Sequence, residues 1–363
     1  MKSSFHYSAL ALLAAVVAPL AVRAFDAAGH NNLLLYWGQN SAGATGAAQK
    51  DWQQRLSYYC EDNTVDVFTL SFLYEFGGGR PTAFDLSNAS NNCTGLIEGT
   101  QLLNCPQMEE DIKQCQSKGK KILLSMGGAT GSYGLDTDKD GETLADDLWS
   151  YFGGGSSKIR PFGSAVIDGF DLDLEGGASK GFVGFVNRMR NHYDSDKSKQ
   201  YYMSAAPQCP FPDAYMGGVL DSTWFDFVSV NNKEQFNYAT WDNWARTKSQ
   251  NKNVRLFVGV PGSTSAAGSG YVPLNTLTTT IGDLQKQYPS FGGVMMWDAS
   301  QAYINKDGSP NYATAVSQRK KKPSQPTNHD KPRPDYNHYL HWKYHERFHN
   351  NAKPYDQLAV IGA

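Results

Sequence analysis

An alternating run of acidic and apolar residues lies near the middle of the chain, at positions 168–175. Side chains of a β-strand point to opposite faces with a period of two, so one face here carries Asp171, Asp173 and Glu175. Neighbouring carboxylates repel one another, and this repulsion raises the pKa of at least one of them. A carboxyl group with a raised pKa can act as a general acid near neutral pH. The run therefore predicts acid–base chemistry.

A polar strand that displays solvated acids is the alternative interpretation of this run. Acidic residues are poor strand formers, and like charges close together destabilise a sheet. Perturbed carboxylates also tend to cluster at active sites. Three acids on one strand face therefore favour a catalytic cluster over a solvated surface.

The run also resembles the DxxDxDxE signature of family 18 glycoside hydrolases, the chitinases, with Asp168, Asp171, Asp173 and Glu175 in the acidic positions. Residues 121–128 resemble the SxGG motif of that family. Further segments resemble the hevamine-type, class III chitinases of plants and fungi: 35–40, 205–210, 266–271 and 293–297. The six segments occur in the order of the family and span about residues 33 to 317. The resemblance therefore covers most of the chain.

The coarse periodicity of the chain predicts an α/β fold. Eight β-rich segments are predicted at 33–37, 65–72, 122–126, 166–174, 202–206, 225–230, 255–260 and 293–297. Segments with helical spacing lie between them, such as 108–117, 181–192 and 277–287. Eight alternating units predict a (β/α)8 TIM barrel, whose active site lies at the carboxyl ends of the strands. Glu175 falls there, whereas Asp168 has the opposite parity and is expected to support the fold.

Composition divides the chain into three parts. Residues 1–24 combine Lys2, an apolar run at 9–22 and small residues before Ala24, which predicts a cleaved secretory signal; a retained anchor is the alternative. Residues 25–318 form the predicted barrel. Residues 319–363 are basic and rich in Pro and His, which predicts a disordered tail or non-coding sequence translated in error, and metal or anionic-surface binding is the alternative. We expect a secreted protein, extracellular or in the cell wall.

Charge and composition limit the partners. The net charge of -2 gives no basic footprint for nucleic acid, and no other apolar stretch is long enough to span a membrane. No metal site or cofactor is predicted, no second chitin-binding module is recognisable, and we expect a monomer. The sequons at Asn88 and Asn92 allow N-glycosylation, although Cys93 lies inside the second.

Secretion makes disulfides plausible for the five cysteines, and their spacing leaves the pairing open. The resemblance to class III chitinases implies the pairs Cys60–Cys115 and Cys93–Cys105. Cys209 is then left over as the fifth cysteine.

The resemblance implies hydrolysis of β-1,4 bonds in chitin or chitooligosaccharides, with retention and with the substrate's own N-acetyl oxygen as nucleophile. Glu175 would protonate the leaving oxygen and later activate water. Asp173 would orient the acetamido N–H and stabilise the positive oxazolinium. Asp171 would lie deeper and share a proton with Asp173.

Further residues of the substrate site follow from the same resemblance. Trp297 would form the floor of the cleft, because the apolar face of a sugar stacks on an aromatic plane. Gly127 and Gly128 would permit close approach of the backbone to the substrate. Other expected sugar contacts, each of which could equally be a packed or surface residue, are Tyr36, Gln39, Tyr74 and Gln208.

The chain departs from the family after the sixth predicted strand. Class III chitinases carry a Gln-Phe-Tyr-Asn-Asn segment there, followed by a loop with a cysteine. In this chain Val230 runs into 231–235, and both the Tyr and that cysteine are missing, which would account for the odd Cys209. Loss of the Tyr removes a donor to the reacting acetamido oxygen and is expected to impair turnover.

Two other functions remain open on the sequence. A non-catalytic, chitinase-like lectin or inhibitor protein is favoured by the missing Tyr and disfavoured by the retained acids. An endo-N-acetylglucosaminidase acting on glycoprotein glycans shares the acidic motif, and the hevamine-type flanking segments disfavour it.

Overall fold

A computed structural model describes residues 25–231 and 237–319 of the chain. The predicted signal at 1–24, almost all of the predicted tail and residues 232–236 lie outside the described residues. Residues 231–235, which stand where the class III segment is expected, lie mostly in that last range.

Strands of the described chain form one sheet. In chain order they are β1 Asn32–Trp37, β2 Val67–Phe76, β3 Ala83–Phe84, β4 Lys121–Gly127, β5 Ser132–Tyr133, β6 Gly169–Asp173, β7 Tyr202–Ala205, β8 Phe227–Asn231, β9 Arg255–Pro261 and β10 Phe291–Trp297. Eight of them pair in parallel in the order β1-β10-β9-β8-β7-β6-β4-β2, and β2 pairs with β1 to close the ring. The short β3 and β5 both extend β2. The predicted (β/α)8 barrel is therefore confirmed.

Helices cover the outside of the barrel. Their bounds are α1 Ser41–Ala44, α2 Leu56–Cys60, α3 Pro106–Ser117, α4 Asp138–Phe152, α5 Phe182–Ser195, α6 Gly217–Ser222, α7 Tyr238–Thr247, α8 Leu274–Gln287, α9 Ala299–Ile304 and α10 Tyr312–Arg319. The start of α4 is fixed by a capping box, in which the Thr137 hydroxyl accepts from Asp140 N and the Asp140 carboxylate accepts from Thr137 N.

Most strand bounds agree with those expected to within two residues, and two differ by more. Strand β2 runs four residues past the expected Phe72, because β3 and β5 supply hydrogen bonds to its far end. Strand β6 begins only at Gly169, because the Ile167 amide donates to the Phe152 carbonyl of α4 and leaves the ladder. Strand β6 ends at Asp173, so Glu175 lies two residues beyond the strand.

Alternating side chains of β1 show how the two cores are separated. Leu34 and Tyr36 belong to the cluster inside the barrel, whereas Leu33, Leu35 and Trp37 belong to the larger cluster under the helices. The same alternation places the apolar residues of β6 in the outer core. Strand parity thus turns the acids of β6 toward the barrel axis, as the sequence predicts.

Two disulfides bind the first third of the domain. Cys60 at the end of α2 pairs with Cys115 of α3, and Cys93 pairs with Cys105 just before α3. These are the pairs that the resemblance implies. Each constrains the unfolded chain and so stabilises the fold.

The asparagines of both sequons lie in the 3-10 helix Ser87–Asn92. Asn88 is half-buried and its amide nitrogen donates to the Gln53 carbonyl at 2.9 Å, whereas Asn92 is exposed. Glycosylation at either position stays a prediction. Within residues 25–231 and 237–319, no helix has the length and apolar character needed to cross a membrane.

Candidate active site

Asp171 forms the buried base of the site, with 2% of its surface exposed. Strand register places Ser125 of β4 and Ser204 of β7 directly beside it. Its Oδ2 accepts from the Tyr36 hydroxyl at 2.7 Å and from Ser125 Oγ at 2.7 Å, and its Oδ1 accepts from Ser204 Oγ at 2.5 Å. Three hydroxyl donors therefore hold one carboxylate, two from the flanking strands β4 and β7 and one from β1, which does not pair with β6.

Burial and like charge act differently on the two inner acids. Burial raises the pKa of Asp171, and its three hydroxyl donors oppose that rise. The pKa of Asp173 is raised well above its ordinary value, first by burial and then by the charges of Glu175, Asp171 and Asp213. Repulsion within the acid row, which is Asp171, Asp173 and Glu175, thus contributes to the raised pKa of Asp173, as predicted. Oδ1 of Asp171 accepts from Ser204, and the proton that the resemblance implies between Asp171 and Asp173 stays a prediction.

Glu175 is held at two points. Its Oε2 accepts from Gln208 Nε2 at 2.7 Å, and its backbone N–H donates to the Tyr133 hydroxyl at 2.8 Å. That hydroxyl donates in turn to the Gly128 carbonyl at 3.2 Å. Burial is the main cause that raises the pKa of Tyr133 to about 12, so the phenol stays protonated. The half-buried Glu175 is therefore fixed where the strand ladder has already ended.

Trp297 ends β10 and is half-buried at the mouth of the barrel. Its ring stacks on Phe72 with centroids 5.8 Å apart and planes at 19°, and it lies 5.5 Å from the Tyr36 ring. The next residue, Asp298, is fully buried and accepts from Ser41 N at 3.1 Å. These contacts fix an indole that presents an aromatic surface beside the acids.

Three expected substrate contacts also have a role within the protein. Tyr36 is 2% exposed, and its hydroxyl donates to Asp171, so it supports that acid, and sugar contact at Tyr36 stays a prediction. A Cβ on Gly127 would lie 2.2 Å from the Asp173 carbonyl, and one on Gly128 would lie 2.9 Å from the Phe72 ring. The glycines therefore permit close packing within the protein, where φ is also positive, and the approach of substrate to them stays a prediction.

Gln39 and Tyr74 lie farther out. Gln39 is half-buried, and its Nε2 donates to the Ser71 carbonyl at 2.8 Å. Tyr74, near the end of β2, is exposed. Sugar contact at these two residues stays a prediction.

Sequence reasoning did not identify several residues of this site. They are Phe72, Tyr133, Ser204 and Asp213, and Ser125 appeared only as part of the SxGG motif. Alternation within β7 does not identify Ser204, because the register between β6 and β7 is what places it beside Asp171. Tyr133 carried no such signal, because its strand β5 has two residues.

Asp168 lies at the opposite end of β6 from the acid row, as expected for a structural acid. Its Oδ2 accepts from Ile122 N at 2.9 Å and from Gln116 Nε2 at 2.8 Å. Its Oδ1 accepts from Lys199 Nζ at 3.2 Å, and Lys121 Nζ lies 3.8 Å away. In the described part of the chain, no group of three or more His, Cys, Asp or Glu side chains is arranged to hold a metal ion.

Comparison with known families agrees with this geometry. Residues 33–267 match the profile of Glycosyl hydrolases family 18. The chain belongs to this family. That matched range contains the whole acid row, together with Tyr133 and Gln208, and ends before Trp297.

Fungal chitinases are similar to this family 18 chain in sequence. It is 49% identical to Chitinase 2 of Rhizopus oligosporus over 302 residues, which are 81% of this chain and 54% of that protein. It is 45% identical to the Endochitinase of Saccharomyces cerevisiae over 311 residues, which are 81% of this chain and 52% of that protein. The chain thus spans about half the length of these curated relatives.

Solved structures with this fold include an enzyme and an inhibitor. The ICChI chitinase from Ipomoea carnea is 25% identical, with a TM-score of 0.64 over 79% of this chain and 99% of that one. The xylanase and α-amylase inhibitor protein XAIP-II from Scadoxus multiflorus is 29% identical, with a TM-score of 0.65 over 79% of this chain and 98% of that one. The barrel alone therefore does not decide between catalysis and inhibition, and the site residues must.

Proposed function

We propose that this protein is a secreted endochitinase that hydrolyses β-1,4 bonds between N-acetylglucosamine units with retention. The observation that carries the proposal is the hydrogen bond of 2.7 Å from Gln208 to Glu175, above the buried acids of β6. A binding protein gains nothing from three hydroxyls that hold one buried carboxylate and an amide that holds the half-buried Glu175, because burial of charge is costly. The fungal relatives that are named chitinase or endochitinase support the same reaction.

In the proposed reaction, the sugar before the scissile bond stacks on Trp297 and places its acetamido group toward Asp173. Glu175 gives its proton to the glycosidic oxygen, and that bond breaks as the acetamido oxygen bonds to the anomeric carbon. Asp173 accepts a hydrogen bond from the acetamido N–H and stabilises the positive oxazolinium. Water then attacks the anomeric carbon as the bond from the acetamido oxygen to that carbon breaks, and it gives its proton to the Glu175 carboxylate, which restores the acid.

Asp171 has a supporting part in this proposal. Its two oxygens are fixed by Tyr36, Ser125 and Ser204, so it provides an immobile negative charge beneath Asp173. Burial and the charge of Glu175 are the larger causes of the raised pKa of Asp173, and the charge of Asp171 adds to them and to the attraction of the site for a cationic intermediate.

Substitution of the acid tests the proposal directly. Glu175→Gln keeps the side-chain shape and removes the transferable proton, so turnover of a fluorogenic chitooligosaccharide should be abolished while calorimetric binding persists. Glu142→Gln is the matched control, because Glu142 is an exposed acid of α4 that pairs with Lys139. Turnover of Glu175→Gln at the level of this control would contradict the proposal.

The segment that follows β8 bears on the rate. The class III tyrosine expected there is missing, and Tyr238 does not replace it, because its buried hydroxyl donates to the Leu256 carbonyl at 3.0 Å. We propose that the chain binds chitooligosaccharides and hydrolyses them slowly. Insertion of Gln-Phe-Tyr-Asn-Asn and its following Cys after Val230 should raise kcat by about 10²-fold. The same insertion with Phe in place of Tyr is the control, and equal rates for all three chains would contradict this interpretation.

Binding without turnover is the second candidate function, and the missing tyrosine is the observation that favours it. A chain that binds chitooligosaccharides with the same affinity before and after Glu175→Gln, and hydrolyses none, would be a lectin or inhibitor. Release of N-glycans from a glycoprotein would indicate an endo-N-acetylglucosaminidase instead. Secretion and a monomeric state are further proposals, which recovery from culture medium and light scattering would test.

A further inference from the structure

The loop that follows β7 is organised around one buried carboxylate, Asp213. This side chain is 4% exposed. Its Oδ2 accepts from Gln208 N at 2.6 Å, and its Oδ1 accepts from Tyr215 N at 2.7 Å and from Met216 N. Both oxygens therefore bind backbone amides of the same loop. An acid in this arrangement fixes the loop conformation before any substrate is present.

The residue at the start of that loop is the one that holds the proposed acid. Gln208 is fixed through its backbone N–H by Asp213, and its side-chain amide donates to Glu175 Oε2 at 2.7 Å. Two consecutive hydrogen bonds thus connect Asp213 with the Glu175 carboxyl. The partner that orients the acid is itself oriented by a residue of the same loop.

Asp213 also acts through its charge on the acid row. The charged and titratable groups that face Asp173 are Asp171, Glu175, Asp213, Tyr36 and Tyr133. Burial is the main cause of the raised pKa of Asp173, and the charges of Glu175, Asp171 and Asp213 add to it. No cation among these groups offsets the three acids, so the charge of Asp213 adds to a negative field across the site.

The geometry points to Asp213 as a fourth acid of the site: a positioning residue that holds Gln208 against Glu175 and adds negative charge beside Asp173. This role rests on the proposed glycosidase function. Asp213 has no part in the chemical steps, because its oxygens are used by backbone amides.

Asp213→Asn tests both parts of this role. An Asn side chain has one carbonyl oxygen, so it cannot accept on both sides, and either Gln208 N or the Tyr215 and Met216 amides lose their acceptor. We expect kcat to fall about 10- to 100-fold, because a small displacement of the acid costs that much. Gln208→Ala should cost a similar factor, and the double variant should cost little more than either single one, because both changes release the same carboxyl.

The pH profile separates positioning from simple destabilisation. Removal of the Asp213 charge lowers the pKa of Asp173, so the pH optimum of Asp213→Asn should move to lower pH. Asp213→Glu keeps the charge and displaces the carboxylate, so it should lose kcat and keep its optimum near that of the wild type. It also serves as the second variant if Asp213→Asn does not fold. Asp196→Asn is the control, because Asp196 accepts from Ser198 N at 2.8 Å at the other end of the barrel.

Two results would overturn the proposal: additive losses in the double variant, or an unchanged pH optimum in a folded Asp213→Asn protein. An inactive wild type would overturn the proposed function instead. In that case, NMR titration of 13C-labelled aspartate carboxyls still tests the charge effect, because the Asp173 resonance should titrate at lower pH in Asp213→Asn. An unmoved resonance would refute the role assigned to Asp213.

Discussion

The two ends of strand β6 carry the same residue type in opposite surroundings. Asp168, just before the strand, accepts from a backbone amide and a glutamine, and two lysine ammonium groups lie within 4 Å of it. Asp173, the last residue of the strand, faces three other carboxylates, which together with burial raise its pKa well above the ordinary value. Two acids five positions apart therefore differ: the charge of Asp168 is compensated by lysines, and that of Asp173 is not.

This difference shows how one strand divides stability from chemistry. At the amino end of a barrel strand, charges are neutralised and connect neighbouring elements, as Lys199 does for β6 and the segment before β7. At the carboxyl end, uncompensated charge is stored where a ligand can enter. That charge costs folding free energy and, in the proposed reaction, stabilises a cationic intermediate.

Asp173→Asn should give the largest effect at the catalytic end. The change removes the carboxylate that faces the oxazolinium, so kcat should fall by about 10²-fold or more while the protein remains folded. The stability should change in the opposite direction. Because the folded-state pKa of Asp173 is raised, the wild type loses stability as pH rises from the ordinary Asp value through the raised one. The melting temperature of the variant relative to wild type should therefore increase with pH over that window.

Melting curves at several pH values and steady-state kinetics measure both quantities. Asp136→Asn, which removes an exposed acid before α4, is the control for a general change in net charge. A variant that is less stable than wild type at every pH would mean that Asp173 is compensated after all, and the contrast between the two ends of β6 would disappear.

Tyr133→Phe should have a smaller effect on the same end. The ring keeps its stacked contact with Phe76 at 5.4 Å, and the hydroxyl that joins Glu175 N to the Gly128 carbonyl is lost. We expect kcat to fall about tenfold, since the backbone of the acid is no longer fixed beyond the strand. Tyr193→Phe is the matched control: its buried hydroxyl donates to the Tyr202 carbonyl at 3.3 Å. Equal losses of kcat in both variants would assign Tyr133 a structural role alone.

Strand periodicity predicts one part of this site and not another. The facing of Asp171 and Asp173, the outward position of Phe170 and the structural place of Asp168 all follow from parity within one strand. Which residues lie beside Asp171 depends on the register between strands, and alternation within a single strand does not determine that register. Ser204 was missed for that reason, although it lies opposite Asp171 on β7.

The fold shows the same limit at the ends of strands. Eight hydrophobic segments and their order predict the barrel, because each is long enough to show its period. The short β3 and β5 have two residues each and no period to detect, yet they lengthen β2 and bring Tyr133 to Glu175. Asp213 was missed because a loop acid that binds backbone amides has no sequence pattern that distinguishes it from a solvated acid.

The amino end of β6 should respond to substitution in stability and not in activity. Asp168→Asn removes the charge that pairs with the half-buried Lys199, and weakens the bonds from Ile122 N and Gln116. A half-buried cation that loses its carboxylate partner is costly, although Lys199 keeps the Val166 carbonyl, so we expect the free energy of unfolding to fall by about 2 kcal/mol. The kcat per folded molecule should stay within about twofold of wild type, because Asp168 lies on the far side of the barrel from Glu175. Urea unfolding gives the first quantity, and turnover normalised to the folded fraction gives the second.

The double variant Asp168→Asn/Lys199→Met should recover part of the lost stability, because it removes the uncompensated charge as well. A large loss of kcat in the folded single variant would show that the two ends of β6 are coupled, and the division between them would fail.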